Sequence, residues 1–469
     1  MSTEAIEALG RRRNGIPAAP EAAGRDQRHW ATRVLRSPWT WIVLAATLLF
    51  AGCLTWMYVT ATATTEVEGG TVQGINLSAI RRSAGLALPT LGVWVVLFIW
   101  LDRFRPMRLA LWYLALGWGA CVSTAASMVI NTWAAEHMAI QGNGDPASGA
   151  RAAVFSAPFA EEATKATVLF LIAIALRYRV VSKLQAVALA GLSAAGFAYV
   201  ENILYFSRVI VYASQTIEAG DPEQALSQMV FLRGVLTAFG HPLFTFFTAF
   251  GLIVGLRARS KVVRIIAPVA GFLVAALGHM VFNFLASTGM DSTYMAIIGW
   301  LVTLGIVVHL VRTILGEGRR HRDRLGDYVM LGWLPESDIR AFSRLRTRWA
   351  SVLISLTHGW RSFLATVGMQ RALSELAYLR DAQVRGIVDA GGRPRERELI
   401  DRAHALRSRA ITDPRTQKVQ VPQLPESVRR LLRRRAAASP AKVPATSGAA
   451  PVGSPQYSPV DPRWGPPKG

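Results

Sequence analysis

Seven side chains in this sequence could do chemistry together. They are Glu161, Glu162 and Lys165 in "PFAEEATKATVLF", Glu201 in "FAYVENILY", His241 in "FGHPLF", and His279 and Asn283 in "GHMVFNF". All fall in long apolar runs, where an ionisable group is costly and usually faces an interior cavity. Two imidazoles and several carboxylates are the ligand types of a catalytic zinc site, which keeps one position for water. A further carboxylate can take the proton from that water as it attacks a carbonyl. The helical motif H-E-x-x-H is absent, so any metal site has to be assembled from separate helices. Lys165 stands i+4 from Glu161 and i+3 from Glu162 and can reach back to either. His279 and Asn283 are i, i+4 and share a face. Asn283 can therefore orient the imidazole or donate its amide to a substrate oxygen. Phe197, Glu201 and Tyr205 form one stripe, and Gly240 and Pro242 can open the helix around His241.

Singly, each residue has a plainer role. Lys165 with one glutamate is an ion pair, a lone histidine in a span packs or hydrogen-bonds, and Asn283 is ordinary interhelical glue. "GLSAAGFA" reads as a small-residue packing face. A shared level argues for more. At 1.5 Å per residue, Glu161 and Glu162 lie about 11 Å and His279 about 12 Å below the outer ends of their helices. His241 lies roughly 10–18 Å and Glu201 roughly 8–18 Å down. Four helices of alternating direction thus bring their polar groups to one level in the outer half. Arg233 sits at the mouth of its helix. His309 falls near the opposite end and is left out of the set.

The elements that must position these groups are membrane helices. The chain has 469 residues, 51% of them apolar, and a mean hydropathy of +0.28, the mark of an all-α polytopic membrane protein. Eight segments are long enough to span, near 39–59, 84–101, 109–133, 154–176, 184–212, 229–256, 265–287 and 294–315. Basic and acidic loops alternate between them. Arg11–Arg13, Arg103–Arg108, Arg177–Lys183, Arg257–Arg264 and Arg312–Arg322 mark one side. Glu66 and Glu68, Glu136 and Asp145, Glu218–Glu223 and Asp291 mark the other. The positive-inside rule then places both termini in the cytoplasm. It also accounts for the net charge of +22 without nucleic acid. Cys53 and Cys121 lie in apolar runs and imply neither a disulfide framework nor a Cys-based metal site.

Four regions follow. Residues 1–38 form a basic, largely disordered N-terminal segment, and 39–315 the eight-helix membrane domain. Residues 316–412 mix apolar and charged positions at helical spacing, with a break at "AGGRP", as a helical cytoplasmic region. Residues 413–469 are a Pro/Ser/Arg-rich disordered tail. The stretch 349–369 is apolar but contains His358 and Arg361 between basic flanks. It is expected to pack or lie at the interface rather than form a ninth span.

At its polar residues the sequence resembles the PrsW family of bacterial intramembrane proteases, which is related to the type II CAAX prenyl endopeptidases. The resemblance rests on Glu161-Glu162-x-x-Lys165, Phe197-x-x-x-Glu201-Asn202, span-embedded His241 and His279-x-x-x-Asn283, in order on four consecutive spans. It covers roughly residues 84–315. It implies hydrolysis of a peptide bond of a single-pass, anti-sigma-factor-like substrate near the outer half of a bacterial plasma membrane. The roles expected are water activation by Glu161 or Glu162, with Glu162 preferred, and charge balance by Lys165. Asn283 is expected at the oxyanion. Glu201, His241 and His279 bind zinc or, in a metal-free glutamate mechanism, position the water. Expected partners are the substrate, the lipid bilayer and a cytoplasmic protein at the C-terminal region. The other classes left open are a transporter, in which the carboxylates relay protons or bind a cation, and a non-catalytic membrane scaffold.

Overall fold

The computed structural model describes residues 30–67, 70–102, 107–138, 150–175, 182–215, 221–386 and 392–417. Most of the N-terminal segment, the tail from residue 418 and part of the "AGGRP" break lie outside them.

The described chain is a helical bundle. Helix α1 (Pro38–Thr62) opens on a proline, whose missing N–H is no loss in a first turn. A small antiparallel hairpin follows, β1 (Thr65–Val67) and β2 (Gly70–Val72), with Glu66 opposite Thr71. Asn76 caps α2 (Leu77–Leu101) by accepting from the Ala79 N–H at 2.8 Å. Helix α3 (Leu109–Met138) passes through a π-helical turn at Trp118–Ser123. A second π turn, Ala152–Ser156, leads into α4 (Ala157–Ala175). Helix α5 is Lys183–Gln215. Helix α6 (Pro222–Leu256) starts on an Asp221 cap and loosens into a third π turn at Leu232–Leu236. It then breaks over residues 237–239 and resumes at Gly240. The break falls just before His241, as "FGHP" predicts. Helices α7 (Lys261–Ser287) and α8 (Ser292–Met330) complete the bundle.

Among the described residues, seven helices are long and apolar enough to cross a membrane: α1, α2, α3, α5, α6, α7 and α8. The eighth segment predicted from sequence is α4. Its 19 residues reach about 28 Å. Glu161, Glu162 and Lys165 lower its apolar content.

Helices α5 and α6 are the most enclosed, while α1 lies at the periphery. Small residues let their backbones approach neighbours. A Cβ on Gly119 would stand 1.8 Å from the Ser193 carbonyl oxygen, and one on Gly196 2.2 Å from that of Leu116, so α3 and α5 meet backbone to backbone. "GLSAAGFA" is this packing face. Gly251 of α6 and Gly271 of α7 are likewise in contact, where added Cβ atoms would come within 2.3 Å of the Ala267 oxygen and 2.6 Å of the Phe247 oxygen. That contact sets His241 beside His279.

Helix α8 does not stop where the sequence changes character at residue 316. It runs unbroken to Met330, because Glu, Arg and Leu after the span are good helix formers. Its last turns enter a second core with α9 (Glu336–Ser343), α10 (Leu345–Thr357), α11 (Trp360–Val384) and α12 (Gly392–Arg407). Leu325, Tyr328, Phe342, Met369, Leu373 and Ile400 are its centre. The 349–369 stretch is divided between α10 and α11 at Gly359, whose φ of 95° is left-handed.

Candidate active site

Helix α4 carries Glu161, Glu162 and Lys165 into the bundle, all three buried. Glu162 is the best-supported carboxylate. Its Oε1 accepts from Lys165 Nζ at 2.6 Å and lies 3.2 Å from His279 Nδ1, while its Oε2 accepts from Thr245 Oγ1 at 2.9 Å. Lys165 Nζ also lies 3.9 Å from Glu161 Oε2, 3.1 Å from His241 Nδ1 and 4.6 Å from the Phe197 ring centre. One ammonium thus stands against two adjacent carboxylates in a low-dielectric place and offsets one of their two charges. Without it, two buried negative charges would face each other.

Glu161 differs from its neighbour. Asn131 Nδ2 approaches its Oε1 at 3.5 Å, and its Oε2 is buried with no hydrogen-bond partner. That oxygen is 4.0 Å from His279 Nε2. Glu201, on α5, accepts from the Arg233 guanidinium and lies 2.8 Å from His241 Nε2. Arg233 also donates to Asn202 Oδ1 at 2.8 Å and covers the Tyr205 ring. The two imidazoles meet edge to face, 5.5 Å between centres, and Phe244 stacks on His279 at 4.8 Å.

The seven residues singled out in the sequence therefore converge from α4, α5, α6 and α7, and six of them form one contact network. Asn283 lines the same cavity, but its Nδ2 donates to the Ala153 carbonyl at 2.8 Å. Three participants were not assigned a role from sequence. Thr245 is one helical turn after His241 and shares its face, a spacing that could have found it. Arg233 stood out as a charge in a span, but nothing in its spacing pointed to Glu201. Asn131 is a polar residue in α3 with no motif around it. Two of the three π turns contribute to the walls of the cavity, through Ala152 and Ala153 and through Arg233; its volume is about 400 Å³.

One carboxylate oxygen of Glu161 and one ring nitrogen each of His241 and His279 lie within 4.8 Å of one another, close enough to hold a metal ion together. The fit is good on two counts. Glu161 Oε2 is an unpartnered acceptor turned to His279 Nε2. Each imidazole also has its other nitrogen on a carboxylate, Glu162 for His279 and Glu201 for His241, the outer support that metal-bound imidazoles need. The sequence places Glu201 among the metal ligands and Glu161 in the water-activating pair. In the structure, Glu161 completes the triad and Glu201 is engaged by Arg233.

The chain is a polytopic helical membrane protein with buried carboxylates and imidazoles around one cavity, an arrangement that an intramembrane endopeptidase requires. Residues 105–311 match the family model for PrsW family intramembrane metalloproteases. This stretch runs from the start of α3 into α8 and contains every residue of the network above. No curated protein and no solved structure matches the chain.

Proposed function

We propose that the chain hydrolyses a peptide bond of a single-pass membrane protein within this cavity, at Glu161. The observation that carries the assignment is the contrast between the two glutamates. Glu162 is already held by Lys165, Thr245 and His279, whereas Glu161 Oε2 is buried and unpartnered beside His279 Nε2. Glu161 is the carboxylate with capacity to bind a water and take its proton. This reverses the preference for Glu162 drawn from sequence. Glu162 fixes the ring of His279 and pairs with Lys165, and Glu201 fixes His241.

Zinc also suits the donor set, with Glu161, His241 and His279 as its holders. Glu161 would then hold the ion, whose Lewis acidity, rather than a free Glu161 carboxylate, would acidify the water and polarise a carbonyl. Lys165 lies on His241 Nδ1 and has to withdraw toward Glu162 for that nitrogen to act as a ligand. Asn283 keeps a second amide hydrogen, which we assign to the developing oxyanion.

Loop charge supports a cytoplasmic position for the second core and an outer-side position for the cavity, in a bacterial plasma membrane. The second core offers a surface for a cytoplasmic partner. The substrate would be an anti-sigma-factor-like protein, cut near the outer half of the bilayer.

The test is cleavage of co-expressed single-pass reporter proteins. Glu161→Gln and His279→Ala should insert normally, cleave nothing and retain bound reporters. Native-like cleavage by Glu161→Gln would overturn the assignment. Elemental analysis of the purified protein should find zinc that His279→Ala loses. Cleavage by a metal-free, chelator-treated protein would leave water activation to Glu161 and His279 alone.

A further inference from the structure

A second polar cluster lies where the membrane bundle meets the second core, away from the protease site. His241 is 16 residues from Arg257 along α6, about 24 Å, and Glu201 is 18 residues from Lys183 along α5, about 27 Å. Asp381 of α11 is the centre. It is almost fully buried and receives three guanidiniums. Arg257 Nη2 lies 2.9 Å from Oδ2, Arg385 Nε 3.1 Å from Oδ2, and Arg324 Nε 3.3 Å from Oδ1. Arg259 donates to the Arg385 carbonyl. Arg320 of α8 and Lys183 of α5 stand in the same field, close to Arg257. Neither has a hydrogen-bond or ion-pair partner among the described residues. Lys183 is only loosely placed over the Phe250 ring, at 5.9 Å.

The opposing charge is small. Besides Asp381, the facing carboxylate is Glu317 of α8, which is buried and bonded to Ser182 Oγ at 2.6 Å. Burial and the charge of Arg385 pull the Arg257 pKa down. Asp381 opposes this, and Arg320 adds to it. A partly buried surplus of guanidiniums is costly unless an anion shares the site. Guanidiniums from different helices are suited to a phosphate, which accepts bidentate hydrogen bonds from several directions. The cluster also lies where the apolar part of α6 ends, the level at which lipid phosphates stand.

We propose that Lys183, Arg257, Arg320, Arg324 and Arg385 form a binding site for a phosphate group, supplied by an anionic lipid headgroup or a soluble phosphate. The anion completes the joint between the protease bundle and α11. The site is independent of the peptidase reading.

The experiment is thermal unfolding of the purified full chain in neutral detergent, with phosphatidylglycerol, phosphatidylcholine or inorganic phosphate added. Phosphatidylglycerol should raise the midpoint where phosphatidylcholine does not. Lys183→Gln and Arg320→Gln remove no hydrogen bond or ion pair among the described residues, and each should weaken the apparent affinity about fivefold, the effect of one basic residue near an anionic surface. Arg322→Gln, on the other side of α8, should keep the native response. The same residue-dependent shift with inorganic phosphate would support the site and name a soluble source. The proposal is overturned if phosphatidylglycerol acts no differently from phosphatidylcholine and phosphate has no effect. It is equally overturned if Arg322→Gln loses as much response as Arg320→Gln.

Discussion

Lys165 and Glu162 are both fully buried and in contact at 2.6 Å, so their energies are not separable. Lys165→Met should destabilise the protein by about 3–5 kcal/mol, because it strands two buried carboxylates. Adding Glu162→Gln should restore part of that loss, since one of the two unpaired charges is then removed. Denaturant unfolding of the single and double variants in detergent checks this, and equal losses in both would contradict it. At this scale the sequence was informative about membership. The residues of "AEEATK", "VEN", "GHP" and "HMVFN" carried their own signal, an ionisable or amide group at a place where lipid-facing residues are apolar. It was less informative about roles. Glu161 and Glu162 are adjacent and chemically identical, and their difference comes from what α6 and α7 present to each. Thr245 and His279 reach Glu162, and only the packed helices decide that. Likewise Glu201 has the chemistry of a ligand, but Arg233, 32 residues later in the chain, engages it.

The helices that hold these groups depend on close approach. Gly251→Leu would drive a side chain into the α7 backbone at Ala267 and separate His241 from His279. A loss of about 1–3 kcal/mol is expected from overpacking, together with loss of cleavage. Gly52→Ala, on α1, meets nothing within 4 Å and should be neutral or stabilising by up to about 1 kcal/mol. Thermal unfolding of the two variants separates a packing glycine from an idle one. Helix existence was legible in the sequence, because apolar runs of about 20 residues and alternating loop charge are strong signals. The π turns were not, since a slipped hydrogen-bond register leaves no mark in composition. The break before His241 was, because glycine and proline flank it.

In the whole molecule the two cores share one helix. Ending the chain after Gly316 would remove Glu317, the partner of Ser182, and Asp381, the partner of Arg257. The remaining bundle should therefore insert but unfold at a lower temperature than the full chain. An unchanged midpoint would mean that the second core is an independent attachment. The change of composition at residue 316 suggested such a boundary; charge content reports the end of the apolar span and not the end of the helix, which runs on to Met330. His358 and Arg361 spoke against a ninth span in the 349–369 stretch, but they did not show that it divides into two helices at Gly359.

Helix α8 touches the interrupted part of α6 at two places. The Phe239 ring occupies the space where a side chain at Gly299 would stand, and Trp300 Nε1 donates to the Leu236 carbonyl at 3.0 Å. From there the same rod continues for 25 residues to Leu325 in the second core, about 38 Å at the helical rise. A stiff shaft with one end in the second core and the other against a discontinuity next to a site histidine is a lever. A tilt at the far end would be carried along it to the short non-helical link in front of His241.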